Sequence, residues 1–264
     1  MLKLHIIASG SKGNAAIVED GVTGSCVAID CGIGARDYLT GCAELGVDPA
    51  RITAMFITHE HTDHTKGLGV VLRALRKRGI TFPVYVLPPC RAASAEVHVL
   101  EDNFTFLPME TGRLLRAGGM DILPVRTSHD AAASCGFRIE GAGDALGYLT
   151  DSGVVTPEAH EALSGVGILA LEANHDPEML RVGPYPYWLK QRVGGPVGHL
   201  SNLQAAQELD LLRWPGLRQV VAMHISENNN TYTLPKQALI QAVGQDEGAP
   251  RVQVAFQHRQ VEVC

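Results

Sequence analysis

Short apolar runs alternate with turns marked by glycine and proline along the whole chain. The runs at 2–8, 15–18, 25–30, 54–58, 84–87, 104–107, 121–127, 136–139, 146–150, 167–171, 219–223 and 252–256 are rich in β-branched and apolar residues, and they predict strands. A helical period interrupts them. Residues 65–78 place Leu68, Val71, Leu72 and Leu75 on one face and turn Arg73, Arg76 and Lys77 away. Thr156-Pro157 predicts a helix start with an N-cap and a first-turn proline. Ser201 with Gln204 predicts a capping box for a helix over 202–212. Strand runs with occasional helices fill the first half, and the second half repeats the pattern. This is neither strict βαβ alternation nor all-β, and it predicts two packed sheets with helices outside. No repeat, low-complexity tract or linker divides the chain, so residues 1–264 are expected to form one domain. The stretch "VGPYPYWLKQRVGGPVG" (182–198) is expected to be an excursion, a loop or a short helix near the site.

Composition narrows the class. Apolar residues make up 45% and charged residues 19%, as in a globular protein with a sizeable core. The formal net charge of −6 offers no broad basic field to a polyanion, although bound cations would offset part of it locally. The six cysteines form no C-x-x-C pair and match no zinc knuckle. They read as isolated reduced thiols, which predicts a cytoplasmic protein. No signal-peptide pattern opens the sequence, and no run approaches the roughly 20 apolar residues that span a bilayer.

One segment carries chemistry. In "FITHEHTDHTKG" (56–67), His59, His61, Asp63 and His64 follow a buried apolar run. Residues i and i+2 of an extended segment point the same way, so His59 and His61 can grip one ion. Asp63 and His64 come after the chain bends and can face a neighbouring ion. Imidazoles and carboxylates suit zinc, manganese or iron, whereas structural zinc sites favour cysteine and closed ligation. Further donors stand at predicted strand ends: His129 in "VRTSHDAA", Asp151 in "GYLTDSG" and His224 in "VVAMHISENN". His5, His98, His160 and His258 have no partner at ligand spacing.

The order H-x-H-x-D-H, then His, then Asp, then His resembles the metallo-β-lactamase fold superfamily. That resemblance implies an α+β fold, a four-layer αββα sandwich with two divalent ions. It also implies His59, His61 and His129 on one ion, Asp63, His64 and His224 on the other, and Asp151 between them. Two cations about 3.5–4 Å apart would activate a shared water and clamp a phosphoryl or carbonyl oxygen, with Asp63 placed to orient the nucleophile. The intact donor set argues against a merely non-catalytic binding protein.

The superfamily fold alone leaves lactams, thioesters, lactones and phosphodiesters open. "GHLSN" (198–202) sets His199 just ahead of a helix N-terminus, where it can contact phosphate or protonate a leaving alkoxide. "LEANHD" (171–176) offers Glu172, as a support for His199 or a ligand, and His175. "ASGSKGNAA" (8–16) surrounds Ser11 and Lys12 with glycines, and such a turn can aim backbone N–H groups at an anion. The segments "SGSKGNA", "DCG", "THEHTDHTKGL", "TSHDA", "TDSG", "LEANHD", "GHLSN" and "HISENNN", in that order, look like the YycJ/WalJ (VicX) family of metallo-hydrolases. The likeness implies 5′-to-3′ exonuclease activity on DNA, an association with manganese and a place in mismatch repair. A small phosphodiester, thioester or lactone hydrolase, or an RNA-processing nuclease, is the alternative. The His199 segment is similar to the catalytic histidine segment of tRNA 3′-processing ribonucleases and of β-CASP nucleases. Only residues 177–197 separate "LEANHD" from "GHLSN", too few for the inserted β-CASP domain, and no long tRNA-holding arm is present. Arg73, Arg76, Lys77 and Arg78 form one basic cluster. Arg181, Lys190 and Arg192, interleaved with Tyr185, Tyr187 and Trp188, form another, which suits either a bound strand or ordinary core packing of the aromatics.

Overall fold

The computed structural model describes residues 1–264. Six strands open the chain: β1 (Leu2–Ala8), β2 (Ala15–Asp20), β3 (Cys26–Ile29), β4 (Ile52–Phe56), β5 (Val84–Val86) and β6 (Phe106–Pro108). Seven more follow: β7 (Leu115–Ala117), β8 (Met120–Arg126), β9 (Cys135–Gly141), β10 (Asp144–Leu149), β11 (Ile168–Glu172), β12 (Gln219–Met223) and β13 (Arg251–Val254). β14 (Val261–Val263) returns to pair with β1. One sheet has the order β14-β1-β2-β3-β4-β5-β6 and the other β13-β12-β11-β10-β9-β8-β7. In each, consecutive strands on one side run parallel, β3 to β6 and β10 to β13.

The two-residue period of the strands builds the layers. In β11, Ile168 and Ala170 enter one apolar core, and Leu169 and Leu171 enter the other. β12 repeats this with Val221 and Met223 against Val220 and Ala222. The first core joins residues of both sheets, such as Val27, Phe56, Phe137 and Ile168, and reaches Tyr38 of α1 (Ala35–Glu44) and Leu75 of α3 (Leu68–Arg76). The second lies under α6 (Pro157–Leu163), α9 (Asn202–Leu211) and α10 (Thr233–Val243), through Leu163, Leu209 and Leu239. Both faces of the central strands are therefore covered, which explains their near-continuous apolar runs. The result is the expected α+β, αββα sandwich. No helix is long and apolar enough to cross a membrane.

The structure corrects several expected elements. The helix expected over 65–78 is confined to α3, and a separate turn, α2 (Thr62–Thr65), precedes it with Lys66 and Gly67 between them. Cys31 draws off the intervening backbone: its N–H donates to His64 O at 2.7 Å, and its carbonyl accepts from Gly67 N at 2.8 Å. A Cβ on Gly67 would lie 1.9 Å from Ile33 O, so only glycine fits. The strand expected at 104–107 begins at Phe106, because Phe104 N bonds to Leu100 O in the turn that closes α5 (Ala95–Leu100), the helix after α4 (Pro88–Ala93). The helices α1 and α10 were not expected, and neither has a side-chain N-cap bond to mark its start. The edge strands β7 and β14, three residues each, also carried too short a pattern. Residues 177–193 form two short helices, α7 (Pro177–Val182) and α8 (Tyr187–Val193).

Candidate metal centre

The parallel strands deliver their carboxyl ends to one edge, where ligands gather in open α/β sheets. Asp30 follows β3, His59 to His64 follow β4, Asp151 follows β10, Glu172 ends β11 and His224 follows β12. His129 arrives from the antiparallel strand β8. Asp30, Asp151 and His224 take φ of 57°, 50° and 52°, a left-handed backbone that non-glycine residues adopt at a cost of order 1–3 kcal/mol. Such backbone turns each chain sharply where its strand stops.

The seven donors expected from the sequence meet here. Donor atoms of His59, His61 and His129 lie within 4.8 Å of one another, and so do those of Asp63, His64 and His224. His129 Nε2 is 3.2 Å from His61 Nδ1. His64 Nε2 and His224 Nε2 are each 3.5 Å from Asp63 Oδ2. Asp151 stands between the two groups, with Oδ2 3.1 Å from His64 Nε2 and Oδ1 3.7 Å from His129 Nε2.

The opposite ring nitrogens are held by the protein. His64 Nδ1–H donates to Asp30 Oδ2 at 2.7 Å, and His224 Nδ1–H to Glu172 Oε1 at 3.0 Å. His129 Nδ1–H donates to the Gly198 carbonyl at 3.0 Å, and His59 Nδ1 meets Thr58 Oγ1 at 3.0 Å. Thr58 in turn bonds to Asp30 through both its N–H and its hydroxyl. Nε2 of His59 and Nε2 of His224 are buried with no hydrogen-bond partner. Rings anchored at one nitrogen, with the other buried and unpaired, fit a divalent cation.

The electrostatics agree. Burial pushes His59 and His129 down, so both rings are neutral donors near pH 7. Burial opposes charge on Asp63 and Asp151, yet the surrounding imidazoles hold both carboxyls well below the usual range. Burial also opposes charge on His64 and His224. Asp30, Asp151 and Asp63 nevertheless raise His64, and Asp151, Asp63 and Glu172 raise His224 to about 10. The carboxylates thus call for positive charge where these rings meet, and a divalent cation supplies it.

His199 completes the cluster. Its Nδ1–H donates to Glu172 Oε1 at 2.8 Å, and its ring centroid lies 5.0 Å from that of His129 and 5.2 Å from that of His224. Glu172 is fully buried, and its other oxygen accepts from Ser152 N and Leu200 N. Burial disfavours its charge, but His199 and His224 bring it down to about 2. The capping box at Ser201 is present and starts α9. His175 pairs with Ser201 in an isolated bridge, is 3% exposed, and burial pushes it down to about 4.

Other candidates do not join the cluster. Ser11 and Lys12 are exposed; Lys12 pairs with Glu227 at 2.6 Å and lines a separate cavity of about 580 Å³. The glycine turn instead delivers Asn14, whose Nδ2 is 3.0 Å from His64 Nε2. Sequence reasoning missed Asn14, Thr58 and Asp30 as site residues; Asp30 lies in the "DCG" segment, and its burial beside His64 appears only in three dimensions. Tyr187 and Trp188 are 78% and 65% exposed, which removes core packing as their role. Their neighbouring cations are already engaged: Arg181 with Glu178, Arg192 with Asp130, and Lys190 with the Arg181 carbonyl. Arg73, Arg76, Lys77 and Arg78 are exposed on and just beyond α3. His5 is buried between Glu19 and Glu262 in the first sheet, away from the cluster.

Residues 26–225 match the beta-lactamase superfamily domain. Over 245 residues the chain is 30% identical to exodeoxyribonuclease WalJ of Streptococcus pneumoniae, covering 92% of this chain and 88% of that protein. It is 29% identical over 249 residues to exodeoxyribonuclease YycJ of Bacillus anthracis, covering 92% and 89%. The metallo-β-lactamase fold protein YhfI of Bacillus subtilis superposes with a TM-score of 0.72 over 99% of both chains at 17% identity. With its sandwich and its clustered histidines and carboxylates, the chain belongs to the metallo-β-lactamase superfamily and, within it, to the YycJ/WalJ-like family of metal-dependent hydrolases.

Proposed function

We propose that residues 1–264 form one catalytic unit, a dinuclear phosphodiesterase that removes nucleotides from the 5′ end of DNA. The observation that carries this reading is the His199–Glu172 pair beside the two donor groups. His59, His61 and His129 would hold one ion, Asp63, His64 and His224 the other, and Asp151 both. Bound there, zinc or manganese supplies Lewis acidity toward phosphoryl oxygens and makes water acidic enough to ionise near neutral pH.

The chain's own groups do the rest. Asp63 orients the attacking water. Glu172 holds Nδ1–H of His199, which leaves Nε2 to meet the substrate. Protonated at Nε2, His199 delivers a proton to the departing 3′-oxygen of the strand. An acyl substrate with a good leaving group would need no such donor, and this favours a phosphodiester with an alkoxide leaving group. The exposed rings of Tyr187 and Trp188 suit stacking of unpaired bases, whereas the paired cations beside them suit phosphate tracking less well. The naming of the WalJ and YycJ relatives as exodeoxyribonucleases supports DNA as the polymer.

The test is to incubate metal-loaded protein with end-labelled, 5′-phosphorylated DNA, with RNA of the same sequence and with a chromogenic phosphodiester. The expected result is release of mononucleotides from the 5′ end of DNA. Absence of phosphodiester cleavage with either metal would refute the reading, and release from the 3′ end would refute its polarity.

A further inference from the structure

A cleft of about 370 Å³ opens beside His129. Its exposed apolar lining comes from Pro88 and Pro89, which start α4, and from Ala132 of the loop after His129, with Met109 buried beneath. Arg126, the last residue of β8, lines the same cleft and is exposed. No carboxylate lies within ion-pairing distance of its guanidinium, unlike those of Arg181 and Arg192. Glu110, the one acid on the rim, faces Arg113 at 3.8 Å. The backbone beneath is well tied: Thr127 N bonds to Ser134 O, the Thr127 hydroxyl bonds to Ser134 Oγ, and Glu60 accepts from Ala132 N at 2.6 Å.

We propose that this cleft is a mononucleotide subsite, in which Arg126 grips a phosphate and the exposed Pro88, Pro89 and Ala132 pack against the base. Three features converge. The volume lies at the lower end of small-ligand pockets and suits one nucleotide rather than a duplex. A free guanidinium offers the planar fork that matches phosphate. Apolar walls receive a base of any identity, because every base has an unsubstituted face. His129 belongs both to the cleft and to the donor cluster, so a nucleotide held here lies next to the reacting phosphate. A subsite sized for one nucleotide would make the enzyme release its product one residue at a time. The inference deepens the phosphodiesterase reading and rests on it for the position of the scissile bond.

Binding tests it without turnover. Deoxyadenosine 5′-monophosphate is titrated calorimetrically into the full chain in excess divalent metal, for wild type, Arg126→Gln, Arg126→Lys and Ala132→Trp. Arg126→Gln is expected to weaken binding about 10–100-fold, the loss of one charged hydrogen-bonding contact. Arg126→Lys is expected to lose less, and Ala132→Trp, which fills the cleft, to abolish binding. Melting temperature and bound-metal content are expected to stay at wild-type values in all three. Deoxyadenosine, which lacks the phosphate, is expected to bind wild type and Arg126→Gln alike. On DNA, Arg126→Gln is expected to raise KM by a similar factor. Wild-type affinity in Arg126→Gln and Ala132→Trp would overturn the subsite, as would a wild-type protein that does not bind the nucleotide. Cleavage of the chromogenic phosphodiester alongside either result would leave the phosphodiesterase reading standing. Nucleotide binding lost on Arg126→Gln, in a protein that cleaves no phosphodiester, would sustain the cleft and sink that reading instead.

Discussion

His61 apart, each clustered histidine uses its two ring nitrogens differently, one fixed by the protein and one turned to its neighbours. Asp30 shows why the fixing partner matters. It is fully buried, accepts from His64 Nδ1 and is itself held by Thr58. Asp30→Asn keeps the shape but replaces an anion with a dipole, so His64 loses its orientation and its basicity. Metal affinity is expected to fall about 10–100-fold, read by competition with a fluorescent chelator; unchanged affinity would show that Asp30 does not support the site. His199 makes a different contribution. His199→Ala is expected to keep its metal content and to slow DNA cleavage by roughly 10²–10⁴-fold. Turnover of a p-nitrophenyl phosphodiester, whose leaving group needs no proton, should fall far less. An equal loss on both substrates would remove His199 as proton donor. At this scale the clustering of the H-x-H-x-D-H run with the strand-end residues His129, Asp151 and His224 was legible, because residue type and spacing single out donors of one kind. Asp30, Thr58 and Asn14 were not, since their roles depend on burial and on contacts 28 to 50 positions away.

Among the elements, the segments that carry the site are wedged together with no room for side chains. Gly32 lies against the loop of Asp63, where a Cβ would come 1.6 Å from Asp63 O, and Gly32 N also bonds to Asn14 O. Gly32→Ala would force these two loops apart. It is expected to cost roughly 1–3 kcal/mol, as overpacking does, and to lower Tm by several °C on the scale of about 2–4 °C per kcal/mol. Activity should fall further than stability alone explains, because Asp63 moves with its carbonyl. A variant with wild-type Tm and activity would contradict the contact. The split between α2 and α3 has the same origin: Cys31 and Ile33 sit too close for a continuous helix. The hydrophobic period over 65–78 located the buried face of α3 correctly. It could not show the break, because nothing in that period records a neighbouring strand end.

For the molecule as a whole, the two sheets bring three buried carboxylates, Asp30, Asp151 and Glu172, and the half-buried Asp63 to one edge. Such a concentration is relieved by bound cations, so metal and fold stability are linked. Zinc or manganese at a hundredfold excess over Kd is expected to add about 2.7 kcal/mol for each ion bound, and chelation to remove it. A thermal scan should show the corresponding rise of about 5–10 °C per ion. A Tm indifferent to chelator would separate the cluster from metal. The sandwich itself was legible from strands that appear in runs, and its four layers follow from apolar residues on both faces of β11 and β12. Short edge strands and uncapped helices were not, because their stability comes from packing rather than from local signals.

The central claim is that two ions occupy this edge. Crystals grown with manganese and measured above the manganese absorption edge test it directly. The expected result is two anomalous peaks about 3.5–4 Å apart, one among His59, His61 and His129, the other among Asp63, His64 and His224, with Asp151 touching both. A single peak, or none among these side chains at saturating manganese and zinc, would contradict the account.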